Sequence, residues 1–144
     1  MPSKATIAVR EFRVTDLDAA LEFWSGIGGL GLNESDTDEA LERFLRRNPG
    51  LSAVAAAPEG RMVGTVLCGH DGRRGTLHHL VVAEPYRGQG VAKRLIEHSL
   101  ERLRQARIPR CNLFLWDDNE AGAAFWLHHG WSLATNWKTL QRKL

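Results

Sequence analysis

One stretch of this sequence restricts the fold more than any other, because a strand, a long amphipathic helix and a second strand follow one another directly. Thr76–Val82 is almost continuously apolar or aromatic, which is typical of a strand covered on both faces of a sheet. A helix over Gly88–Gln105 with an apolar stripe follows, and Arg110–Trp116 is a second strand. Two strands joined through a helix lie parallel, with a right-handed crossover. The sequence therefore predicts a mixed α/β domain whose sheet is covered on both faces.

The flanking segments supply the remaining strands and helices. A first strand over Ile7–Val14 alternates β-branched and polar residues, and Thr15 is a candidate N-cap for the helix that follows. The glycines at positions 26, 28, 29 and 31 end that helix. Periodicity and turn residues predict a helix at Asp38–Arg47, strands at Ser52–Ala57 and Arg61–Gly69, a helix at Asn119–His129, and one or two closing strands in Trp131–Leu144.

Length and composition favour one globular domain over residues 1–144. The chain is 43% hydrophobic and 25% charged, which disfavours a disordered or collagen-like chain. No run approaches the ~20 apolar residues of a membrane span, and Met1–Arg10 lacks the apolar core of a signal peptide. The two cysteines, Cys68 and Cys111, have no partners at metal-ligand spacing. We therefore expect a reduced cytoplasmic protein with no metal centre and no membrane segment.

Charge is distributed unevenly along the chain, although its net value is only +2. Residues 1–50 carry nine acidic and six basic side chains, whereas residues 51–110 carry five acidic and ten basic ones. The middle of the chain is therefore the place to expect an anionic ligand, with a solvated arginine face as the alternative. A basic stripe interleaved with exposed aromatic residues is missing, so we expect no nucleic-acid partner.

A glycine-rich turn follows the apolar strand and opens the long helix. It consists of Arg87, Gly88, Gln89, Gly90, Val91 and Ala92. Unpaired N–H groups at a helix start, with small residues around them, are suited to phosphate oxygens. The glycine spacing matches neither the dinucleotide-binding fingerprint nor the P-loop. A tight turn that needs glycine for its backbone angles is the alternative explanation.

These residues resemble a known family. The turn Arg87–Ala92 matches the R/Q-x-x-G-x-G/A motif of the GNAT superfamily of acyl-CoA N-acyltransferases. Asn119–Trp131 resembles the second signature of that superfamily, in which an Asn opens a helix that ends in an aromatic residue and then Gly-aromatic. With the order of elements, the resemblance covers essentially the whole chain. The G-x-D-G-x-x-G turn at Gly69–Gly75 is similar to that of a bacterial branch of small single-domain members.

The resemblance implies a fold and a cosubstrate. The fold is a mixed, mostly antiparallel sheet of six to seven strands, splayed between strands 4 and 5 and flanked by about four helices. Acetyl-CoA is the implied acyl donor, with its pantetheine arm in the splay and its pyrophosphate on the helix start. Arg87, Lys93 and Arg94 are candidates for added positive charge. The implied cofactor-binding residues are Leu80, Val81, Val82, Arg87, Gly88, Gln89, Gly90, Val91, Ala92 and Asn119.

The implied reaction is direct attack of a neutral amine on the thioester carbonyl. His78 resembles in position the strand histidine of arylalkylamine acetyltransferases and is the favoured base, with Glu84 or water as other proton routes. Strand alternation predicts that His78 and His79 point to opposite faces. Where relatives commonly carry a Tyr that assists the departing thiolate, this chain has Trp126, whose indole donates a hydrogen bond without being an acid at neutral pH.

The acceptor is less well defined by the sequence. Trp24, Asp71 and Arg73 are the candidate substrate-binding residues, with a capped hairpin as the alternative explanation for the last two. The leading hypothesis is acetyl transfer to a small-molecule or peptide amine. A non-catalytic acyl-CoA-binding module or sensor is the alternative, because the usual Tyr is absent. Either a monomer or a homodimer is compatible with the sequence.

Overall fold

A computed structural model of the protein describes residues 6–144, and two units are present. The first is Met1–Leu113 and the second is Phe114–Leu144. The first unit contains the whole sheet and three of the helices described below. The second contains one helix, followed by residues without regular structure. The prediction of one domain over residues 1–144 stays a prediction.

The sheet has five strands in the sequential order β1-β2-β3-β4-β5. They are β1 (Ala8–Glu11), β2 (Ala53–Ala56), β3 (Met62–His70), β4 (Gly75–Val82) and β5 (Cys111–Asn112). Neighbours from β1 to β4 pair antiparallel, and β4 pairs parallel with β5. The predicted mixed, mostly antiparallel sheet and its parallel crossover pair are therefore confirmed.

The predicted count of six to seven strands is wrong, since five are present in residues 6–144. The predicted strand at Arg110–Trp116 is reduced to Cys111–Asn112, where partners on β4 are available. The predicted closing strands in Trp131–Leu144 are absent from the described part of the chain. β-branched and aromatic side chains favour a strand, but a strand forms only where its backbone finds a partner.

Residues 6–144 contain four helices, as predicted: α1 (Leu17–Ser25), α2 (Asp38–Arg47), α3 (Val91–Gln105) and α4 (Glu120–His128). The bounds of α2 are those predicted, because Thr37 Oγ1 accepts a hydrogen bond from the Ala40 N–H at 3.1 Å and Asn48 closes the last turn. The prediction that Thr15 caps the first helix is wrong. Thr15 lies inside a short 3₁₀ turn, Val14–Asp16, and α1 begins after it.

Helices cover both faces of the sheet, as predicted. On β3, Thr65 bonds to Trp24 of α1, while a side chain at the neighbouring Gly64 would contact Leu95 of α3. Because successive strand residues point to opposite faces, α1 and α3 lie on opposite sides. The core between the sheet and the α1/α2 layer consists of Phe12, Leu17, Ala20, Trp24, Leu41, Leu45, Val54, Leu67 and Val81.

Both cysteines are free thiols within the first unit. Cys68 is fully buried on β3, and Cys111 is half-buried on β5. Burial raises the pKa of Cys68 to about 12; a smaller contribution from Cys111 adds to this, and a hydrogen bond with Ser99 opposes it. Burial raises the pKa of Cys111 to about 11. Both side chains are therefore protonated at neutral pH.

An ion pair fastens the end of β1 to the start of α1. Arg10 Nη1 and Nη2 each donate to a carboxylate oxygen of Asp16 at 2.8 Å, and the Arg13 N–H donates to the same carboxylate at 2.8 Å. Burial alone would raise the pKa of Asp16, but the hydrogen bond from Arg10 and the other contacts outweigh it and hold that pKa below its ordinary value.

Asp16→Asn is expected to lower the free energy of unfolding by about 1 kcal/mol at pH 7. A depressed carboxyl pKa stabilises the fold above the unfolded-state value of about 3.9, and this is lost as pH falls through the folded-state pKa. The deficit of the variant should therefore shrink in urea titrations as pH is lowered from 7 to 3. Asp18→Asn, at an exposed carboxylate, is the matched control. A deficit that does not depend on pH would contradict this account.

Candidate active site

The outer edge of β4 is unpaired over most of its length. The parallel pairing to β5 involves only Gly75 with Cys111 and Thr76 with Asn112. From Leu77 to Val82, no described strand pairs with this edge. Its outward-facing N–H and C=O groups are therefore left for a ligand, except the Val82 carbonyl, which accepts from Arg87 Nε. The predicted opening between the fourth and fifth strands is therefore present.

A β-bulge interrupts the other side of β4 at the same level. The pairing register shifts between Thr65 and Leu67 on β3. Val66, which lies between them, therefore faces two β4 residues, His79 and Leu80. His79 has a φ of +48°, one of the two positive values at non-glycine residues within 6–144. An extra residue in one strand resets the alternation of its side chains.

The bulge places both histidines on the α1/α2 face of the sheet. The His79 ring lies edge-on to Trp24 of α1, with centroids 4.9 Å apart, and the His78 ring lies edge-on to Phe44 of α2 at 6.0 Å. The prediction that His78 and His79 point to opposite faces is therefore wrong, since it assumed a regular strand.

His79 is paired with a carboxylate. Its Nε2 lies 2.7 Å from Oδ1 of Asp36, and the two side chains are 13% and 8% exposed. Asp36 ends the 3₁₀ turn Glu34–Asp36, in which Asn33 caps the turn and the second oxygen of Asp36 accepts from the Asn33 N–H at 3.0 Å. The carboxylate is thus fixed by the turn before it meets the imidazole.

Two consecutive hydrogen bonds, from Trp24 to Thr65 and from Thr65 to His79, support the bulge. The Trp24 indole N–H donates to Thr65 Oγ1 at 2.9 Å, and the Thr65 hydroxyl donates to the His79 carbonyl at 2.8 Å. Trp24, predicted to bind the acceptor, is only 1% exposed and lies in the core against the His79 ring. Through these contacts it supports the bulge. Its direct contact with an acceptor stays a prediction.

His78 and Glu84, the predicted proton routes, are both exposed. Desolvation of the ring, with a smaller contribution from the neighbouring His79, lowers the pKa of His78 below its ordinary value. Its ring is therefore neutral at neutral pH. Glu84 begins the 3₁₀ turn Glu84–Tyr86 that leads out of β4. Their catalytic roles stay predictions.

The glycine-rich turn has the backbone that an anion site requires. Gly88 and Gly90 have φ values of +76° and +81°, and a Cβ at either would meet nothing within 4 Å. The predicted helix start at Gly88 is wrong, because these left-handed residues delay it to Val91. No side chain caps α3, so its first N–H groups have no side-chain acceptor in the described residues.

The side chains around this turn are unequal candidates for ligand contacts. Arg87 Nε donates to the Val82 carbonyl at 2.8 Å, which anchors the guanidinium beside the end of β4. Arg94 Nη1 donates to the Ile7 carbonyl at 2.8 Å, which ties that side chain to the segment before β1. Lys93 is exposed.

Gln89 supplies a second sign of a ligand at the turn. Its Nε2 donates to the Pro85 carbonyl at 3.3 Å, whereas its Oε1 is buried without a hydrogen-bond partner among the described residues. A buried acceptor of this kind is costly unless a further group donates to it. The residues present therefore fit an elongated ligand. Such a ligand has an anionic group for the start of α3 and hydrogen-bond donors elsewhere along its length.

Asp71 and Arg73, the other predicted acceptor residues, lie at the opposite end of β4 from the glycine turn. Asp71 Oδ1 accepts the N–H groups of Arg74 and Arg73 at 2.8 Å each, and these bonds lower the pKa of Asp71. A cleft of about 520 Å³ is lined by Gly72, Arg73, Arg74, Pro109 and Arg110. The length of β4 separates this hairpin from the glycine turn, and its contact with an acceptor stays a prediction.

The second unit contains the remaining two predicted site residues. Asn119 Oδ1 accepts the Gly122 N–H at 2.9 Å and so caps α4, as an N-cap residue does. Trp126 is 8% exposed, with its ring 5.4 Å from Phe125 and 4.9 Å from Trp131, centroid to centroid. The predicted cofactor role of Asn119 and the predicted thiolate role of Trp126 stay predictions.

Sequence reasoning missed two members of this site, Asp36 and Thr65. A capping-box pattern, Asn33 with Asp36, marks a turn in the sequence, but it carries no sign of a histidine partner 43 residues away. Thr65 is one hydroxyl inside an apolar strand and has no local signal.

No group of three or more His, Cys, Asp or Glu side chains within 6–144 is arranged to hold a metal ion. None of the helices in the same range is both long and apolar enough to cross a membrane.

The chain resembles known acetyltransferases in sequence and in fold. Residues 17–131 match the acetyltransferase (GNAT) family. An acetyltransferase of Pectobacterium atrosepticum is 34% identical over 114 residues, which cover 78% of this chain and 79% of that protein. The PaiA N-acetyltransferase of Thermoplasma acidophilum, solved with coenzyme A, has a TM-score of 0.75 at 18% identity, covering 89% of this chain and 91% of that one. AAC(6')-Iy, solved with the bisubstrate analogue CoA-S-monomethyl-acetylneamine, has a TM-score of 0.74 at 16% identity, covering 96% and 99%.

This chain and these neighbours share one fold, which in this chain is an open mixed sheet with a glycine turn before α3. The chain belongs to the GNAT family of acetyltransferases. The predictions of that family and of an acetyl-CoA-dependent N-acetyltransferase are therefore confirmed.

Proposed function

We propose that this protein transfers the acetyl group of acetyl-CoA to a primary amine by direct attack within a ternary complex. The observation that carries the proposal is the unpaired edge of β4, which runs from Leu77 to Val82 and leads into the glycine turn before α3. An extended amide-containing arm requires such an edge, and a pyrophosphate requires such a helix start.

The proposed donor site uses backbone more than side chains. The outward-facing backbone groups of Leu80, Val81 and Val82 pair with the pantetheine arm, except the Val82 carbonyl, which accepts from Arg87. The amides from Gln89 to Ala92 bind the pyrophosphate. The buried Oε1 of Gln89 is an acceptor for a donor group of the same ligand. Arg87 is anchored through Nε, and its Nη groups donate to a phosphate oxygen.

The proposed chemistry is attack of a neutral amine on the thioester carbonyl, with a C–N bond formed and the C–S bond broken. A backbone N–H of Leu80 or Val81 stabilises the developing oxyanion, as preorganised dipoles do in acyl transfer. Binding both reactants in line supplies a large part of the acceleration. Trp126 remains the predicted hydrogen-bond donor to the departing sulfur.

A cationic amine, deprotonated in the site, is the favoured acceptor. Residues 1–50 carry a net charge of −3 and contain α1, α2 and the segment between them. An acidic border attracts a positively charged molecule and steers its approach. A screen of amines should first establish whether the acceptor amine belongs to a small molecule or to a peptide.

The alternative function is a non-catalytic acyl-CoA-binding module or sensor. One observation favours it: the position where many relatives carry Tyr is Trp126, which has no acidic proton near neutral pH. Both functions require CoA binding, so binding does not distinguish them.

Release of free CoA thiol separates the two functions. The acetyltransferase proposal predicts that at least one amine from a panel of polyamines, amino acids, aminoglycosides and peptide N-termini accelerates thiol release from acetyl-CoA. Mass spectrometry should find the matching acetylated amine. If acetyl-CoA binds but no amine raises the rate above that of hydrolysis, the binding-module alternative is favoured. The same samples, run by light scattering, decide between monomer and homodimer.

A further inference from the structure

The unpaired edge of β4 and the bulge in its pairing with β3 coincide at His79. It lies within the part of the strand whose outer edge is unpaired, and it is one of the two residues that form the bulge. Its carbonyl is turned toward the Thr65 hydroxyl, and its left-handed φ turns the side chain to the α1/α2 face. A residue held in this backbone region persists only where its surroundings fix it.

The pairing with Asp36 decides which nitrogen of His79 is basic. A carboxylate accepts hydrogen bonds but does not donate them, so the proton of the neutral ring lies on Nε2. The lone pair is then on Nδ1, to which no described group forms a hydrogen bond. The side chain is 13% exposed, so the α1/α2 layer does not enclose it completely.

Asp36 also holds the imidazole ring in place, because its Oδ1 lies 2.7 Å from Nε2 and both side chains have little exposure. The titratable groups that face His79 are Asp36 from the 3₁₀ turn and His78 from the strand itself. No carboxylate among the described residues is hydrogen-bonded to the His78 ring.

We propose that Nδ1 of His79 is the group that removes the proton of the acceptor amine, and that Asp36 is its positioning residue. This inference rests on the proposed acetyl transfer. As the amine nitrogen bonds to the thioester carbon, it gives one proton to Nδ1, and the C–S bond breaks to release the thiolate. The imidazolium then gives its proton to solvent and the thiolate takes one up, so the products are the acetylated amine and free CoA thiol.

Two substitutions in the full-length protein test this assignment. Asn tolerates the left-handed backbone of residue 79, so His79→Asn removes the base with little strain. We expect kcat to fall at least ~100-fold, the range of general-base catalysis, while KM for acetyl-CoA stays within about threefold. His98→Asn is the matched control, because His98 lies on α3 and bonds to the Gly50 carbonyl.

Kinetics with one amine throughout distinguish a positioning role for Asp36 from a merely structural one. Asp36→Asn can donate from its amide to Nε2, which moves the proton of the neutral ring to Nδ1 and removes the lone pair that accepts the amine proton. We expect kcat to fall by about tenfold or more while KM for acetyl-CoA stays within about threefold. Asp38→Asn, an exposed carboxylate two residues away, should leave both unchanged.

Three outcomes would overturn the assignment. The first is a folded His79→Asn protein that keeps kcat within threefold of wild type. The second is a hundredfold loss in His78→Asn that His79→Asn does not share. The third, decisive even if His79→Asn fails to fold, is an Asp36→Asn protein that keeps kcat within about threefold of wild type. Wild-type protein that releases no thiol with any amine would instead overturn the acetyltransferase proposal on which this one rests.

Discussion

Replacing Trp24 with alanine is expected to lower the free energy of unfolding by about 3–5 kcal/mol, the range of a large aromatic side chain removed from a core. The indole is 1% exposed and packs within the cluster between the sheet and the α1/α2 layer. It also donates the hydrogen bond to Thr65 that supports the bulge. Since small domains are stable by about 5–15 kcal/mol, this single change removes a large part of the total.

Two further variants separate packing from hydrogen bonding at this position. Trp24→Phe keeps a ring in the core but removes the indole N–H, so we expect a loss of about 1–2 kcal/mol. Trp137→Ala, at a tryptophan that is 57% exposed, should cost less than about 1 kcal/mol. Urea denaturation followed by circular dichroism gives all three values. Equal losses in Trp24→Ala and Trp137→Ala would contradict the assigned packing.

Replacing Gly90 with valine is expected to weaken CoA binding by at least ~100-fold, which corresponds to the loss of about 3 kcal/mol of interaction. Gly90 has a φ of +81° and directly precedes α3, and a Cβ there would meet nothing within 4 Å. A branched side chain there excludes the pyrophosphate from the amides and is itself strained.

Gly60→Val is the matched control for the backbone strain that Gly90→Val introduces. Gly60 has a φ of +94° and equally open surroundings, but it lies in the turn between β2 and β3. Gly60→Val should cost a similar amount of stability without changing the affinity for CoA in isothermal titration. The proposed site would be wrong if Gly90→Val bound CoA like wild type, or if both variants lost affinity equally.

Elements whose signals are local could be predicted from the sequence. The helix at Asp38–Arg47 has the predicted bounds because its cap, its amphipathic stripe and the Asn-Pro-Gly stop are all adjacent in the chain. Thr76–Val82 could be predicted because it is almost continuously apolar or aromatic, as is typical of a strand covered on both faces. The glycine turn could be predicted because left-handed backbone angles favour glycine.

Features that depend on distant partners could not be predicted. The bulge at His79 arises from a register shift against β3, and nothing in the composition of Thr76–Val82 marks it. Its consequence, two histidines on one face, contradicts the period-2 rule on which the prediction depended. Asp36 approaches His79 across 43 residues of chain, a contact that only the folded α1/α2 layer creates.

The burial of the two cysteines has a practical consequence for the reactivity of the protein. A thiol with a pKa of about 11 or 12 is a thiolate in roughly one molecule in ten thousand, or fewer, at pH 7. Thiolates, not thiols, attack disulfide reagents and alkylating agents. The folded protein should therefore react with such reagents only slowly. Colour that develops quickly with a disulfide reagent then comes from released CoA, while a rapid signal from the protein alone reports unfolding.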